Sequence, residues 1–190
     1  GHCLPMQDFP TPTQAIYGGI VKNFYALIFN SLVRWIFYGQ PRRALAIDWK
    51  PMENGWEFQL REGVLFHDGT PLEIGDVMGS YEQYLRQNPY ERRIKGIEAV
   101  DGSIIHIHLK SPCRLEEVAM PFIVPKGTPS EWIGTGPFQA TELNPGFWRL
   151  RRNPHYFLSP PYFKELHIRQ YDTPQALEKA LVSGEVHFAI

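Results

Sequence analysis

Alternating apolar and polar residues define the most regular segments of this 190-residue chain. Residues 56–61 alternate in the period-two pattern of a half-buried strand. A second alternation, over residues 104–109, follows Asp101-Gly102, which is a strong turn signal. Residues 94–100 and 104–109 are therefore predicted to form a hairpin. Further strands are predicted at residues 2–6, 46–49, 138–143, 147–152, 166–171 and 186–190.

Helical spacing of apolar residues predicts a first helix over residues 20–35. A second helix is expected to begin at Pro71 and to end near residue 86. Thr70 is its predicted N-cap, and Glu73, at the third helical position, completes a capping box. Residues 67–69 (His-Asp-Gly) predict a turn before this helix, because glycine accepts a positive φ and aspartate bonds nearby backbone.

The C-terminal part predicts one more helix. Thr173 is its expected N-cap, Pro174 occupies its first position, and Gly184 is well placed to end it. A short helix is also expected between Ser111 and Pro129. The apolar face of the C-terminal helix is predicted to consist of Ala176, Leu177, Ala180 and Leu181.

Composition narrows the class of partner. The chain carries 19 basic and 20 acidic residues, so its net charge of −1 gives no electrostatic case for nucleic acid or an anionic membrane. Aromatic residues make up 14% of the chain, which suits a large core or a ligand cleft lined by rings. Composition therefore gives no support for a polyanionic partner.

The two cysteines leave several states open. Cys3 and Cys113 could pair in an oxidising compartment, or both could be free thiols. Cys3 also lies near the start of the chain, like the lipidated cysteine of a lipoprotein, and any targeting segment is expected to have been removed. The sequence has no run of about 18 apolar residues, so no membrane span is expected.

Each candidate for catalysis or metal binding has a structural alternative. His106 and His108 share one face of a predicted strand, a spacing that can hold a metal, but a solvent-facing strand is favoured because no ligand trio is evident nearby. His67-Asp68 could be an acid/base pair, and a structural turn is favoured. Residues 134–136 (Gly-Thr-Gly) are not followed by the Gly-Lys-Ser/Thr of a phosphate loop. The basic cluster at 149–152 is interpreted as part of a solvated strand face. We therefore expect a binding protein, with no catalytic residue, no cofactor and no metal.

Five sequence blocks, in the same order as in a known family, together carry a resemblance. The resemblance is to the family 5 extracytoplasmic solute-binding proteins, which serve peptide, nickel and oligosaccharide importers. The blocks are Trp56 to Ser80, the hairpin from Ile97 to Pro112, Gly134 to Phe138, Leu150 to Tyr156 (similar to "L-x-R-N-P-x-Y") and Ala176 to Val186 (similar to "ALxxGEVD").

The resemblance implies an α/β (mixed α+β) fold: a periplasmic-binding-protein-like lobe with an inserted small α+β domain, truncated relative to the family. Residues 1–15 and 133–190 are expected to form discontinuous first-lobe segments, and residues 16–132 the inserted small domain. The larger second lobe of the family is not in this sequence. His187 stands where the family generally has Asp, and Lys164 where an Asp usually opens "DE".

The same resemblance implies a cleft that closes on a solute by hinge motion. Its edge is expected at Phe9, Thr11 and Tyr17 and at the loop from Trp132 to Thr135. Tyr17 and Trp132 offer flat stacking surfaces, with plain packing as the alternative. This chain would supply one side of the cleft, and a half-site should bind weakly because less area is buried.

Two functions from different classes follow. The first is the solute-binding component of an ABC-type importer, periplasmic or extracytoplasmic, with an importer permease as a possible partner and a peptide or other small solute as ligand. The second is the ligand-sensing domain of an SgrR-type transcriptional regulator, which would be cytoplasmic. This chain itself is expected to contact no nucleic acid.

Overall fold

The computed structural model describes residues 19–35, 39–88, 93–119, 121–123 and 132–189. Helices and strands in these ranges follow the chain as a small mixed α/β arrangement. They are α1 (Gly19–Ile28), β1 (Val33–Trp35), β2 (Pro41–Arg43), β3 (Ala46–Met52), β4 (Gly55–Leu60), α2 (Ile74–Gln87), β5 (Ile94–Ala99), β6 (Ile104–Leu109), α3 (Leu115–Val118), β7 (Phe138–Asn144), β8 (Phe147–Arg152), β9 (Glu165–Arg169) and α4 (Pro174–Val182).

The strands form antiparallel sheets. The largest has the order β3-β4-β6-β5, a second has the order β7-β8-β9, and β1 pairs with β2. The hairpin predicted around residues 101–102 is confirmed by the pairing of β5 with β6, and the strands predicted at 138–143 and 147–152 are confirmed as β7 and β8, which pair with each other. Asp101 stabilises the first of these turns, because its Oδ1 accepts from the Ser103 and Ile104 backbone N–H groups at 2.7 Å.

A first hydrophobic core fills the space between the four-stranded sheet and α2. Phe58 and Ile107 from the sheet are fully buried there, as are Val77 and Tyr81 from the helix. The Tyr81 hydroxyl donates to the Val118 carbonyl oxygen at 2.7 Å, which satisfies its polar group and fixes α3 against α2. The alternation read from the sequence therefore corresponds to one buried and one open face of this sheet.

A second core is largely aromatic and joins α1 to the three-stranded sheet. Tyr25, Ile28 and Phe29 of α1 are buried with Phe138 and Trp148 of the sheet. The division predicted at residues 16 and 132 stays a prediction, and packing places α1 with the 133–190 segment. The chain passes between the two cores where Asn30 and Ile123 form an antiparallel bridge.

The first helix is shorter than the predicted 20–35. It ends at Ile28, and residues 33–35 form β1 instead. Leu32 continues the helical spacing, but Leu32 and Val33 are both buried in the first core whereas α1 belongs to the second. A continuous helix could not serve both cores, so tertiary packing overrides the local pattern.

The start of α2 also differs from the prediction. Thr70 is not the N-cap, and the helix begins three residues after Pro71, with Glu73 as N-cap. Pro71 forms a bridge with Leu65, and Leu72 N–H donates to the Val64 carbonyl, so the backbone stays extended there. The capping interaction is supplied by Asp76, whose Oδ2 accepts from Glu73 N–H at 2.8 Å.

The C-terminal helix begins and ends as predicted, but the strand after it is wrong. Thr173 Oγ1 accepts from Ala176 N–H at 3.1 Å, and Gly184 has a φ of 76°. No strand forms over residues 186–189: Val186 N–H donates to the Ala180 carbonyl and so caps α4.

Exposure around α4 differs from its predicted apolar face. Ala180 is buried, whereas Leu181 is 39% and Val182 86% exposed. Phe188 lies 78% exposed beyond the helix. Within the described residues, no helix has the length and apolar character needed to span a bilayer.

Candidate functional site

The crossover at residues 134–136 lies directly against the C-terminal end of α1. Gly136 N–H donates to the Ile28 carbonyl at 2.8 Å. A Cβ on Gly136 would lie 2.7 Å from the Leu27 carbonyl oxygen, and a Cβ on Gly134 would overlap the Ile28 carbonyl group. Side chains do not approach backbone that closely, so both glycines are required for the two segments to meet.

His67 connects the turn at residues 67–69 to this crossover through three hydrogen bonds. Its backbone N–H donates to the Gly134 carbonyl at 2.9 Å, and Gly134 N–H donates to His67 Nδ1 at 3.2 Å. His67 Nε2 lies 3.1 Å from the Gly136 carbonyl oxygen. Because Nδ1 accepts, the ring is the neutral Nε2–H tautomer and donates to Gly136. Burial lowers the pKa of His67, which favours this neutral form.

Asn153 is a second side-chain donor to the Gly136 carbonyl oxygen. Its side chain is buried and its Nδ2 donates to the Gly136 carbonyl oxygen at 3.0 Å, while its backbone N–H donates to Pro137 at 2.8 Å. The Asn153 Oδ1 accepts from His155 N–H at 2.9 Å, which orients the amide. The blocks that contain His67, Gly136 and Asn153 therefore meet at one carbonyl group.

Thr135 faces the interior. Its side chain is fully buried, and its Oγ1 donates to Asn30 Oδ1 at 3.1 Å. Asn30 also accepts from Ile123 N–H through its backbone carbonyl at 2.9 Å. Burial raises the pKa of the nearby Tyr156 hydroxyl, which is hydrogen-bonded to Asn30. Asn30 thus joins the end of α1 to the segment around Ile123 and to the crossover.

Trp132 is half-buried in the aromatic core. Its ring is stacked on Tyr25 at a centroid distance of 5.2 Å and an interplanar angle of 11°. Trp148 meets it edge-on at 4.9 Å and 65°. Tyr25 therefore already occupies one flat surface of the indole, and a solute could reach only what remains exposed.

The predicted ligand-binding residues fall into two groups. Phe9, Thr11 and Tyr17 lie outside the described residues. Trp132 and Thr135 lie close together at the crossover, but the Thr135 side chain is engaged by Asn30. Contact of any of these residues with a solute stays a prediction.

Three residues that organise this junction were not assigned to a site from the sequence. His67 was interpreted as part of a turn, which is confirmed by the φ of 86° at Gly69, and its ring contacts were not foreseen. Asn153 belongs to a block that carried the family resemblance, and that membership was the only available signal for it. Asn30 was assigned to the interior of the first helix, so its position at a chain crossing was missed.

An open pocket of about 550 Å³ lies beside the turn between β7 and β8. The Arg149 and Arg169 guanidinium groups lie 5.8 Å and 5.5 Å from the Phe147 ring centroid. Both are also ion-paired, Arg149 with Glu142 at 3.3 Å and Arg169 with Glu185 at 2.9 Å. This pocket therefore presents arginines whose charge is already balanced.

Comparison with known families identifies the chain over most of its length. The family model for bacterial extracellular solute-binding proteins, family 5 middle, matches residues 40–190. The uncharacterized protein YhjP of Bacillus subtilis is 32% identical over 133 residues, which are 65% of this chain and 23% of YhjP. The HTH-type transcriptional regulator SgrR of Photorhabdus laumondii is 30% identical over 172 residues, 84% of this chain and 30% of the regulator. The chain thus spans less than a third of these curated relatives.

Solved structures agree with the fold. The oligopeptide-binding protein AppA from Bacillus subtilis, in complex with a nonapeptide, superposes with a TM-score of 0.84 at 20% identity, over 98% of this chain and 41% of AppA. An ABC transporter substrate-binding protein from Sinorhizobium meliloti gives 0.80 at 23% identity, over 87% of this chain and 38% of that protein. The predicted periplasmic-binding-protein-like, mixed α/β fold is confirmed. Since the family model covers more than half of the sequence, the chain belongs to the family 5 bacterial extracellular solute-binding proteins.

Proposed function

We propose that this chain contributes one side of the binding cleft in a solute-binding protein that delivers a peptide or other small solute to an ABC-type importer. Family membership over residues 40–190 is the observation that carries this proposal. The agreement in fold with AppA, which was solved with a bound nonapeptide, supports it. The proposed location is periplasmic or extracytoplasmic, and an importer permease is the proposed partner. A binding role without catalysis agrees with the binding proteins found among its relatives.

The solute is proposed to contact the edge formed by Trp132 and the crossover, together with Phe9, Thr11 and Tyr17. The junction described above supports this, because hydrogen bonds from His67 and Asn153 hold the crossover backbone in one position. Rigid backbone with an aromatic ring beside it is a suitable cleft edge. Thr135 would serve through its position in that backbone, since its side chain is buried.

The inserted unit is proposed as a separate body carried by the lobe. Packing contacts favour a first boundary near Asn30 rather than residue 16, because α1 packs on β7 and in the aromatic core. Its second boundary stays near residue 132. The binding edge would then lie where the lobe and the inserted unit meet.

Titration by ¹⁵N-¹H NMR tests the binding proposal. Di- and tripeptides should shift the indole N–H signal of Trp132, and the fitted Kd should be micromolar or weaker. The indoles of Trp49 and Trp56, which pack against the first core, provide an internal control and should stay in place. Shifts at all indoles alike, or at none of them, would contradict the proposed edge. Nanomolar affinity would contradict the half-site.

A sensory role is the second candidate, and the similarity to SgrR over 84% of the chain favours it. In that case the same cleft would bind a metabolite in the cytoplasm and pass the signal to another domain. The complete gene and its neighbours separate the two candidates. Adjacent permease and ATPase genes support the importer, whereas a DNA-binding domain encoded in the same reading frame supports the regulator.

A further inference from the structure

The open face of the four-stranded sheet carries two histidines on one strand. Within β6, Ile105 and Ile107 point into the first core and are fully buried. His106 and His108 therefore lie on the opposite face, with side chains 23% and 37% exposed. Their rings are 6.1 Å apart between centroids, so both reach the same region of this surface.

Neighbouring strands bring carboxylates to these rings. Glu98 of β5 places Oε2 at 3.0 Å from His108 Nε2. Glu57 of β4 places Oε2 at 3.0 Å from His106 Nε2, and its other oxygen accepts from Lys50 Nζ at 2.8 Å. The carboxylates that the spacing along β6 could not reveal come from strands on either side of it.

One potential ligand atom from each of Glu98, His106 and His108 lies within 4.8 Å of the other two. In a tetrahedral zinc site with bonds of about 2.0–2.2 Å, ligand atoms are roughly 3.3–3.5 Å apart. The three atoms therefore need to approach by at most about 1.5 Å, which small side-chain rotations on an exposed sheet face can supply.

We propose that Glu98, His106 and His108 form a surface site for a divalent transition metal ion of the Zn²⁺ type, with water in the remaining position. Two imidazoles and one carboxylate suit Zn²⁺ and its neighbours, whereas Mg²⁺ and Ca²⁺ prefer sites made of oxygen ligands. This site lies in the four-stranded sheet and does not depend on the proposed solute-binding role. The ion would cross-link β5 and β6.

Glu57 is proposed to orient His106 and not to bind the metal itself. Its Oε1 lies 2.8 Å from Lys50 Nζ, so its charge is already balanced by a lysine. A carboxylate beside a metal-binding histidine typically holds the ring in orientation and raises its basicity. Removal of this partner should therefore weaken metal binding without abolishing it.

Isothermal titration with ZnCl₂ tests the site in a Cys3→Ser/Cys113→Ser background, which removes the thiols as competing ligands. One saturable Zn²⁺ per chain is expected. His106→Ala, His108→Ala and the isosteric Glu98→Gln should each abolish it, and Glu57→Gln should weaken it by about 10–100-fold. His167→Ala is the matched control, because His167 contacts Glu165 on the neighbouring sheet without a second histidine, and it should leave binding unchanged.

Thermal unfolding and circular dichroism complete the test of the site. Zn²⁺ at a hundredfold excess over Kd should raise Tm by about 5–10 °C, and MgCl₂ should not. Far-ultraviolet circular dichroism establishes that each variant is folded. Zn²⁺ binding by Glu98→Gln and His108→Ala that equals binding by the parent protein would overturn the site. Loss of binding in His167→Ala alone would overturn it too. Absence of any saturable binding would leave the cluster as a pair of surface His–Glu contacts and overturn it as well.

Discussion

Replacement of His67 by alanine should destabilise the fold by about 2–4 kcal/mol. The substitution leaves the Gly134 N–H and the Gly136 carbonyl without their imidazole partner, and both glycines are buried. The Gly134 N–H is left unsatisfied, at a cost of about 1–3 kcal/mol. The Gly136 carbonyl keeps its hydrogen bond from Asn153, so it loses one further bond of about 0.5–1.5 kcal/mol.

Urea unfolding followed by tryptophan fluorescence and circular dichroism measures this loss, and His155→Ala is the matched control. The His155 side chain is exposed, so its removal should change stability by no more than about 0.5 kcal/mol. A third variant, His67→Gln, retains one donor and one acceptor and should fall between wild type and His67→Ala.

The same contact predicts a dependence on pH. Burial lowers the folded-state pKa of His67 below its ordinary value near 6.5. Above about 6.5 the stabilisation from the neutral ring is fully present, and it is lost as the pH falls through the folded-state pKa, where the unfolded chain binds more protons. Protonated Nδ1 cannot accept from Gly134. His67→Ala should lack this part of the acid sensitivity.

Two results would refute this reasoning. One is a loss in His67→Ala of less than about 1 kcal/mol, or one equal to that of His155→Ala, since the buried groups would then have found other partners. The other is an unchanged slope of stability against pH between 5 and 6.5 in His67→Ala, measured against wild type.

Three other substitutions test separate parts of the fold by the same unfolding assay. Gly136→Ala should destabilise the protein by about 1–3 kcal/mol because its Cβ meets α1 backbone, whereas Gly102→Ala, where the added Cβ meets open space, should be nearly neutral. Equal effects of the two substitutions would show that close approach to α1 does not require a glycine at position 136. Gly69→Val should cost about 1–3 kcal/mol at a φ of 86°, and an unchanged Tm would show that the turn tolerates a side chain. Thr173→Ala removes the cap of α4 and should cost about 0.5–2 kcal/mol, unless that helix end is already frayed in solution, in which case amide exchange there would be fast in both proteins.

Local patterns predicted β3 to β9 well, because alternation and turn chemistry act between near neighbours. The hairpin around Asp101 and the capped start of α4 at Thr173 both depend on contacts within four residues. The predicted start of α2 was wrong because another local interaction competes with the cap. The Thr70-Pro71 pattern is a valid cap signal, but the extended pairing of residues 64–72 competes with it and prevails.

Contacts between distant segments could not be read in this way. His67 and Gly136 are separated by 69 positions, and Thr135 and Asn30 by 105, so no periodicity relates them. The family blocks indicated which segments matter without indicating that they touch. Likewise, the carboxylates beside His106 and His108 became visible only through strand pairing.

The bridge between Asn30 and Ile123 has a consequence for how this architecture can be rebuilt. Residues paired in an antiparallel bridge lie about 5 Å apart, so the polypeptide that builds the first core leaves and returns at nearly the same point. A segment whose ends are neighbours can be transplanted into another host, or closed with a short linker and produced alone. The four-stranded sheet with α2 can therefore be exchanged between relatives by rejoining the chain at this bridge, if the new segment also restores the His67 contacts with Gly134 and Gly136.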